Sequence, residues 1–296
     1  MKTGTKVLLS FVGVATLVVI LFAIFGSEGQ NTEFKPQEEF KLTPWIDLPG
    51  PFDINRAVFY LFLAAALTVG TMSYIARRMQ ERPNRVQTAV ETAYTFMRDQ
   101  ISGGNMDRAM SRKWFVFVAT LFLFIWWSNM IGYIPLPTNT GEKVDVFGLE
   151  IPSFGLYAAT ANISVTLVLT LVVWVSYHIE GVRAKGAGKY LASWVPAGVE
   201  GPARVPIFFI EVISHFVRII SLSVRLFANI LAGHLLILFM GGGLVVLLGL
   251  AALGPVTIVL AVAFFLFEVG LVATLQAFIF ATLTAIYLGG AVAEEH

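Results

Sequence analysis

The sequence predicts an all-α integral membrane protein with five transmembrane helices, a further N-terminal hydrophobic helix, and a long tilted hairpin made by the last two spans. The chain is 57% hydrophobic and only 13% charged, whereas soluble proteins carry about 25% charged residues. Its apolar runs are long enough to cross a hydrocarbon core about 30 Å thick. Because unpaired backbone groups are costly in lipid, and no run alternates like a barrel strand, each run is predicted to be a helix.

The first apolar run, residues 7–26, carries no charge and follows Lys2 and Lys6. Two interpretations of segment 1–26 remain open, a cleaved signal peptide and a retained transmembrane helix. The run is longer than the usual apolar core of a signal peptide and lacks a clear small-residue cleavage site. Residues 27–53 are rich in proline and acidic side chains, which predicts a solvated extracytoplasmic segment.

The membrane domain, residues 54–296, contains the other apolar runs, at 57–76, 114–134, 157–177, 205–241 and 244–293. A helix covering 205–241 would be about 55 Å long. It therefore must tilt, kink or end early, and we expect strong tilt. Gly241, Gly242 and Gly243 predict a turn, and Gly254-Pro255 should kink or interrupt the second arm of the hairpin formed by 205–293.

The positions of the basic residues predict the topology. Segment 77–113 contains eight lysines and arginines, and the loop before residue 205 contains four more, while the opposite loops are mostly acidic. The positive-inside rule then places both basic segments and the C-terminus in the cytoplasm. Within the first basic segment, residues 84–102 form an apolar stripe, and an interfacial helix and a packed connector fit it equally well. This stripe consists of Val86, Val90, Ala93, Phe96 and Met97.

Several functional classes are excluded by composition. The chain has no cysteine, so disulfides, thiolate metal sites and cysteine nucleophiles are ruled out. A net charge of +1 does not indicate a nucleic-acid partner. No phosphate-binding loop is present, so ATP chemistry is not expected in this chain. The sequence predicts neither a metal nor a cofactor.

The last two runs carry a small set of ionisable residues at membrane depth. They are Glu211, His215, Arg218, Arg225, His234 and Glu268. Such groups are costly in lipid and are functional by default. Glu211, Arg218 and Arg225 follow at intervals of seven, so they share one helix face. Ser221 and Asn229 lie four residues on either side of Arg225 and extend this polar strip.

His234 lies nine residues after Arg225 and therefore on the opposite face of the helix. A fixed cation with titratable groups on two faces suits two separate proton paths better than one continuous pore. Structural alternatives stay open for the flanking groups. Arg218 could snorkel to the interface or pair with Glu211, and His234 with Glu268 could form either a buried pair or a proton relay.

Two other functional classes compete with a proton path. A self-contained secondary transporter could use Arg225 and Glu268 for its substrate, but no inverted repeat or matched pair of broken helices is apparent. A purely structural scaffold would leave the buried charges unexplained. Co-purification with other subunits would separate a member of a complex from a transporter that works alone.

The segment SLSVRLFANILAGHLLI, residues 221–237, closely resembles the R-L-F-x-N-x-x-A-G segment of the bacterial subunit a family of F-type ATP synthases. The segments at 275–288, 128–135 and 161–167 resemble other signatures of this family. The resemblance covers residues 40–296 and implies a non-catalytic, proton-translocating subunit of the membrane sector. It implies as partners the c-subunit ring, the b or b' peripheral stalk, the F1 head, the lipid bilayer and protons.

The resemblance also implies residue roles. Arg225 would face the ring as the coupling residue, and Asn229 and Gln276 would lie near it. Glu211, Arg218 and Ser221 would lie toward the cytoplasmic exit. The path from the outer side would be lined by His234, Glu268, Asn129, Asn162 and Ser164.

Two departures from the family pattern concern the outer path. His234 occupies a position that is acidic in some members, which suggests a swapped histidine and glutamate pair with Glu268. Glu268 lies eight residues before Gln276 where seven are expected, a shift of about 100° on a straight helix. A local bulge or a different alignment would absorb the extra residue.

Overall fold

The computed structural model describes residues 40–46, 53–77, 80, 84–146, 149–196, 198–199, 201–245 and 254–293. The predicted N-terminal helix and most of segment 27–53 lie outside these residues. The chain divides into two compact units. The described part of the larger unit lies within 42–231 and 269–293, and that of the smaller unit within 40–41 and 232–268.

Helices make up most of the described chain, which confirms the all-α class. The α-helices are α1 (Arg56–Arg77), α2 (Arg85–Phe96), α3 (Arg108–Gly132), α4 (Ile163–Lys185), α5 (Ala187–Ala192), α6 (Arg204–Leu238), α7 (Gly254–Phe267) and α8 (Ala273–Val292). Together with short helical extensions, five segments of the described chain are long and apolar enough to cross a membrane: Arg56–Arg77, Arg108–Gly132, Ile163–Lys185, Gly201–Gly243 and Gly254–Val292. These five segments confirm the predicted spans.

The core of the larger unit is built around α3 and α8. Helix α8 packs against α3 and α4, and α1 packs against the other side of α3. Ala277, Ala281 and Ala285 of α8 are completely buried at intervals of four residues. Such small side chains allow helix backbones to approach closely within a membrane. The α8 core is therefore held by close packing.

Three π-helical turns interrupt or extend these helices, at Met97–Ser102, Phe239–Gly243 and Glu268–Val272. The second corrects a prediction, because Gly241, Gly242 and Gly243 do not form a turn and instead continue α6. Glycine permits a turn but does not force one, and in an apolar segment helical hydrogen bonds satisfy the backbone. The helix that ends with them runs for 43 residues, so it does not end early.

Within the described residues, Gly254 and Pro255 lie in the first turn of α7. Proline is tolerated in a first helical turn, because its missing N–H group would have no intrahelical partner there. Within the smaller unit, α7 packs against the π-helical turn Phe239–Gly243.

Two small antiparallel sheets were not predicted. Strand β1 (Pro44–Ile46) pairs with β2 (Ile54–Asn55), and β3 (Leu136–Val146) pairs with β4 (Leu149–Gly155). The second hairpin occupies the segment predicted as an outer loop. It contains two prolines and two register shifts, so it lacks the regular alternation by which a strand is recognised in sequence.

The start of α4 differs from that of its apolar run and has a local cause. Helix α4 begins at Ile163, six residues later than predicted, because the Asn162 side chain accepts a hydrogen bond from Ser164 N at 2.9 Å and caps the helix. Helix α2 is capped in the same way by Asn84. On α2, Val86 of the predicted apolar stripe is exposed, while Val90 and Ala93 are half-buried.

Candidate functional site: the ionisable groups of the last two spans

Helix α6 exposes the middle of its predicted polar strip. Ser221, Arg225 and Asn229 are all exposed. Apolar side chains surround them on the same face, with exposed fractions of 52%, 61% and 43% for Val217, Ile220 and Val224. Among the described residues, no carboxylate forms an ion pair with Arg225. Arg225 is thus a single cation on an apolar, exposed helix face.

The opposite face of α6 belongs to the core. Leu222, Leu226 and Ile230 are nearly or completely buried, and all three lie in the main hydrophobic cluster. The four-residue spacing puts them on one stripe. Packing of this stripe orients the helix and turns Arg225 outward.

Seven residues before Arg225, Arg218 has quite different surroundings. Its Nη2 donates to Glu211 Oε1 at 3.2 Å, and its guanidinium lies over the Tyr287 ring, 5.4 Å from the ring centre. The predicted pairing of Glu211 with Arg218 is therefore observed. Both side chains remain about one-third exposed, so the pair is partly solvated.

His215 joins this pair and is itself buried. Its Nε2 lies 3.8 Å from Glu211 Oε1, and its Nδ1 lies 2.9 Å from the Tyr177 hydroxyl. The Trp194 ring packs on the imidazole with ring centres 4.4 Å apart. The imidazole is thus held between a carboxylate and a phenol.

A cavity of about 440 Å³ adjoins this cluster. Glu211, His215 and Arg218 line it together with Tyr177, Lys185, Tyr190, Ser193, Trp194, Pro196, Ile286, Tyr287, Gly290, Ala291 and Ala293. Pro196 and Ala293 are exposed, so the cavity reaches the surface. Burial raises the pKa of the Tyr190 hydroxyl, which therefore stays protonated and can donate a hydrogen bond.

The larger unit contains Asn129, Asn162 and Ser164, which were predicted on the outer side, and Gln276, which was predicted near Arg225. Asn129 is fully buried; its Nδ2 donates to Ala273 O at 3.1 Å, and its Oδ1 accepts from Thr160 Oγ1 at 2.6 Å. Asn162 is committed to the cap of α4, and Ser164 is exposed. Gln276 is buried on α8.

Within the smaller unit, His234 and Glu268 are both buried, and both take part in side-chain interactions. The Glu268 carboxylate packs directly against Gly233, where a Cβ atom would overlap it. Glu268 also begins the π-helical turn Glu268–Val272. A π-helical turn accommodates one extra residue, so it is a bulge of the kind that the spacing to Gln276 requires.

Sequence reasoning missed several polar contacts. Lys113 of α3 donates to the buried carboxylate of Glu180 on α4. The buried Arg56 guanidinium lies 4.7 Å from the centre of the Tyr157 ring. The Asn129–Thr160 contact and the Tyr177–His215 contact likewise join residues distant in sequence. Only His215 carried a local signal, its position four residues after Glu211 on one helix face.

These features define a class: a multi-pass helical membrane protein with ionisable groups on its membrane-spanning helices, among them an exposed arginine that forms no ion pair with a described carboxylate. The model of the family described as ATP synthase A chain matches residues 58–289. The ATP synthase subunit a of Rubrobacter xylanophilus is 38% identical over 237 residues, covering 79% of this chain and 83% of the relative. Those of Hyphomonas neptunium and Bradyrhizobium diazoefficiens are 32% and 36% identical, covering 88% and 80% of this chain and 97% and 88% of the relatives.

The chain therefore belongs to the subunit a family of F-type ATP synthases. Family membership makes it a proton-translocating subunit of the membrane sector, Fo, that works in a complex with other ATP synthase subunits. It also makes the chain a multi-pass protein of a bacterial inner membrane.

Proposed function

We propose that this chain is the stator subunit that passes protons through two offset half-channels to and from the carboxyl groups of a c-subunit ring. The observation that carries the proposal is Arg225, an exposed cation on an apolar helix face with no carboxylate paired to it among the described residues. A charge at membrane depth is costly unless it faces a partner or a cavity. A ring carboxylate is a partner of the matching charge.

Arg225 favours release of the proton that the ring delivers. At about 4 Å and an effective dielectric constant of about 20, a guanidinium attracts a carboxylate by roughly 4 kcal/mol before desolvation is deducted. This attraction favours the ionised carboxylate when it faces Arg225. Elsewhere on the ring the neutral acid is favoured, since lipid disfavours charge. The fixed positive charge also repels protons, so it insulates the two half-channels from each other.

The half-channels are assigned by position. Glu211, Arg218 and Ser221 form the exit toward the cytoplasm, supported by the cavity beside Glu211, and Asn229 lies next to Arg225 on the ring-facing side. Gln276 also lies near Arg225, and the access path from the outer side is lined by Asn129, Asn162, Ser164, His234 and Glu268. The buried hydrogen bonds of Asn129 and the burial of His234 and Glu268 support polar paths through the helices.

The remaining assignments follow from the same function. The chain is non-catalytic, and the ring, the b or b' stalk and the F1 head are its partners, with the C-terminus in the cytoplasm. The ring-facing hairpin is 205–293, and residues 54–296 form the channel domain. The absence of a phosphate-binding loop in the sequence supports ATP chemistry in other subunits.

The test compares ATP-driven proton pumping in vesicles that contain the whole complex, with wild-type chain and with Arg225→Ala. We expect the variant to assemble but to lose driven pumping, because no fixed cation then discharges the ring carboxyl. Arg98→Ala is the matched control, since Arg98 is an exposed arginine paired with its neighbour Asp99 at 3.1 Å, and it should pump normally. Unchanged pumping by assembled Arg225→Ala, or proton transport by the purified chain alone in liposomes, would overturn the proposal.

A further inference from the structure

The buried imidazole beside Glu211 is a feature that the exit path described above does not use. His215 lies on α6 between Glu211 and Tyr177, at the inner wall of the cavity. Every element packed around it contributes a polar group. These groups are Tyr177 and His178 of α4, Tyr190 of α5, Trp194, Glu211 and Arg218 of α6, and Tyr287 of α8.

From this geometry we infer that His215 is a proton relay of the exit path, which takes the proton from Glu211 and passes it to water in the cavity. The inference rests on the proposed function, since it assigns a second proton-carrying group to the same exit. Histidine suits this role because a neutral imidazole has one ring nitrogen that donates a proton and one that accepts a proton.

The contact with Tyr177 orients the relay. With the proton of the neutral imidazole on Nδ1, this nitrogen donates to the Tyr177 hydroxyl oxygen at 2.9 Å. The lone pair of Nε2 then faces Glu211 Oε1. A second hydrogen bond commonly selects the tautomer of a functional histidine in this way.

The transfer is balanced in protons. The O–H bond of the protonated Glu211 breaks as an N–H bond forms at His215 Nε2, which leaves a carboxylate and an imidazolium. The imidazolium then gives the proton to water and returns to its starting tautomer. The 3.8 Å separation of Nε2 and Oε1 exceeds a hydrogen bond. The Glu211 side chain is one-third exposed, so rotation of its carboxylate or one bridging water can close the gap.

Arg218 and Trp194 position the two reacting groups. Arg218 holds Glu211 Oε1 at 3.2 Å, and the Trp194 ring covers one side of the imidazole.

The neighbouring His178 has a different role. Its Nδ1 lies 3.4 Å from the Tyr190 hydroxyl, and its Nε2 is buried without a hydrogen-bond partner. His178 therefore packs beside the relay and provides a matched control.

The experiment measures passive proton conductance through Fo in membrane vesicles stripped of the F1 head, with assembly checked by the amount of complex recovered. His215→Gln keeps the size and a hydrogen bond to Tyr177 but cannot carry a proton. We expect it to lower conductance by at least about a hundredfold, the low end of what a positioned acid–base group contributes. His178→Gln should conduct at close to the wild-type rate.

Chemical rescue separates proton transfer from packing. His215→Ala should be slow and should regain conductance when imidazole is added to the buffer, because the cavity and the vacated site admit the small base. His215→Gln should not respond, because its side chain fills the site. Wild-type conductance in His215→Gln, equal loss in His178→Gln, or failure of imidazole to accelerate assembled His215→Ala would each overturn the relay.

The outcome is separable from that of the proposed function. If Arg225→Ala abolishes pumping while His215→Gln is unaffected, the relay alone is wrong. If Arg225→Ala pumps normally, the proposed function is wrong whatever the His215 variants do.

Discussion

Two arginines on α6, Arg218 and Arg225, lie on one helix face only seven residues apart and have opposite surroundings. Arg218 pairs with Glu211 and lies over the Tyr287 ring at the wall of a cavity. Arg225 is exposed among apolar side chains, and no carboxylate pairs with it among the described residues. Arg218 thus belongs to a cluster of side chains within the chain. Arg225, seven residues later, carries a charge that faces outward from the chain.

The difference shows that a charge at membrane depth must be interpreted from its neighbours. The charge of a paired arginine is compensated by a carboxylate of the same chain. An arginine on an open apolar face requires a partner from elsewhere. This distinction separates a group that shapes the exit path from the group that couples the ring to the stator.

The largest effect is expected for Arg225→Lys, and Arg218→Lys is the matched comparison. Lysine loses its proton when buried, whereas arginine stays charged, so Arg225→Lys should abolish coupled pumping once the ring covers this face. Arg218→Lys keeps a cation beside a partly solvated carboxylate, and such pairs contribute only about 1 kcal/mol or less. It should pump within a few-fold of wild type. Rates of ATP-driven pumping in vesicles measure both, and equal losses would break the comparison.

A second prediction concerns Glu268, whose carboxylate packs against Gly233. A methyl group at Gly233 must displace this carboxylate, so Gly233→Ala should slow proton conduction by about a hundredfold, the low end of what loss of a positioned acid–base group causes. The matched control is Gly241→Ala on the same helical segment, where nothing lies within 4 Å of the new Cβ. Passive conductance of F1-stripped vesicles distinguishes them. Normal conduction by Gly233→Ala would show that the position of Glu268 is not critical.

The smallest effect is expected for substitutions that disturb an ion pair and change only the free energy of unfolding. Glu180 is buried and accepts a hydrogen bond from Lys113 across α3 and α4. Glu180→Gln removes the charge and weakens this contact. The free energy of unfolding of the subunit should therefore fall by about 1–3 kcal/mol, the range for a disturbed buried polar group. The exposed pair Arg98–Asp99 provides the control, because Asp99→Asn should change stability by less than about 1 kcal/mol. Equal shifts in the two melting curves would show that burial does not determine how much each pair contributes to stability.

Much of the fold was predictable because hydrophobic length is a local property. Five spans and the shared face of Glu211, Arg218 and Arg225 follow from spacing along one helix, whereas a bulge near Glu268 was one of two alternatives that the family pattern left open. The prediction of a turn at the glycine triplet was wrong because glycine permits a turn without requiring one. Glycine widens the choice of backbone conformations, and the apolar surroundings of Gly241, Gly242 and Gly243 selected a helical one.

By itself, the sequence determined the class of protein, the helical spans and the set of ionisable groups at membrane depth, since these depend on side-chain chemistry and on a 3.6-residue period. Only the tertiary structure decided which of these groups have partners. Tyr177 and His215 lie 38 residues apart, and Asn129 and Thr160 lie 31 apart. Their contacts depend on how helices pack, which no local pattern encodes. For the same reason, packing of Leu222, Leu226 and Ile230 into the core, rather than the arginine itself, turned Arg225 outward.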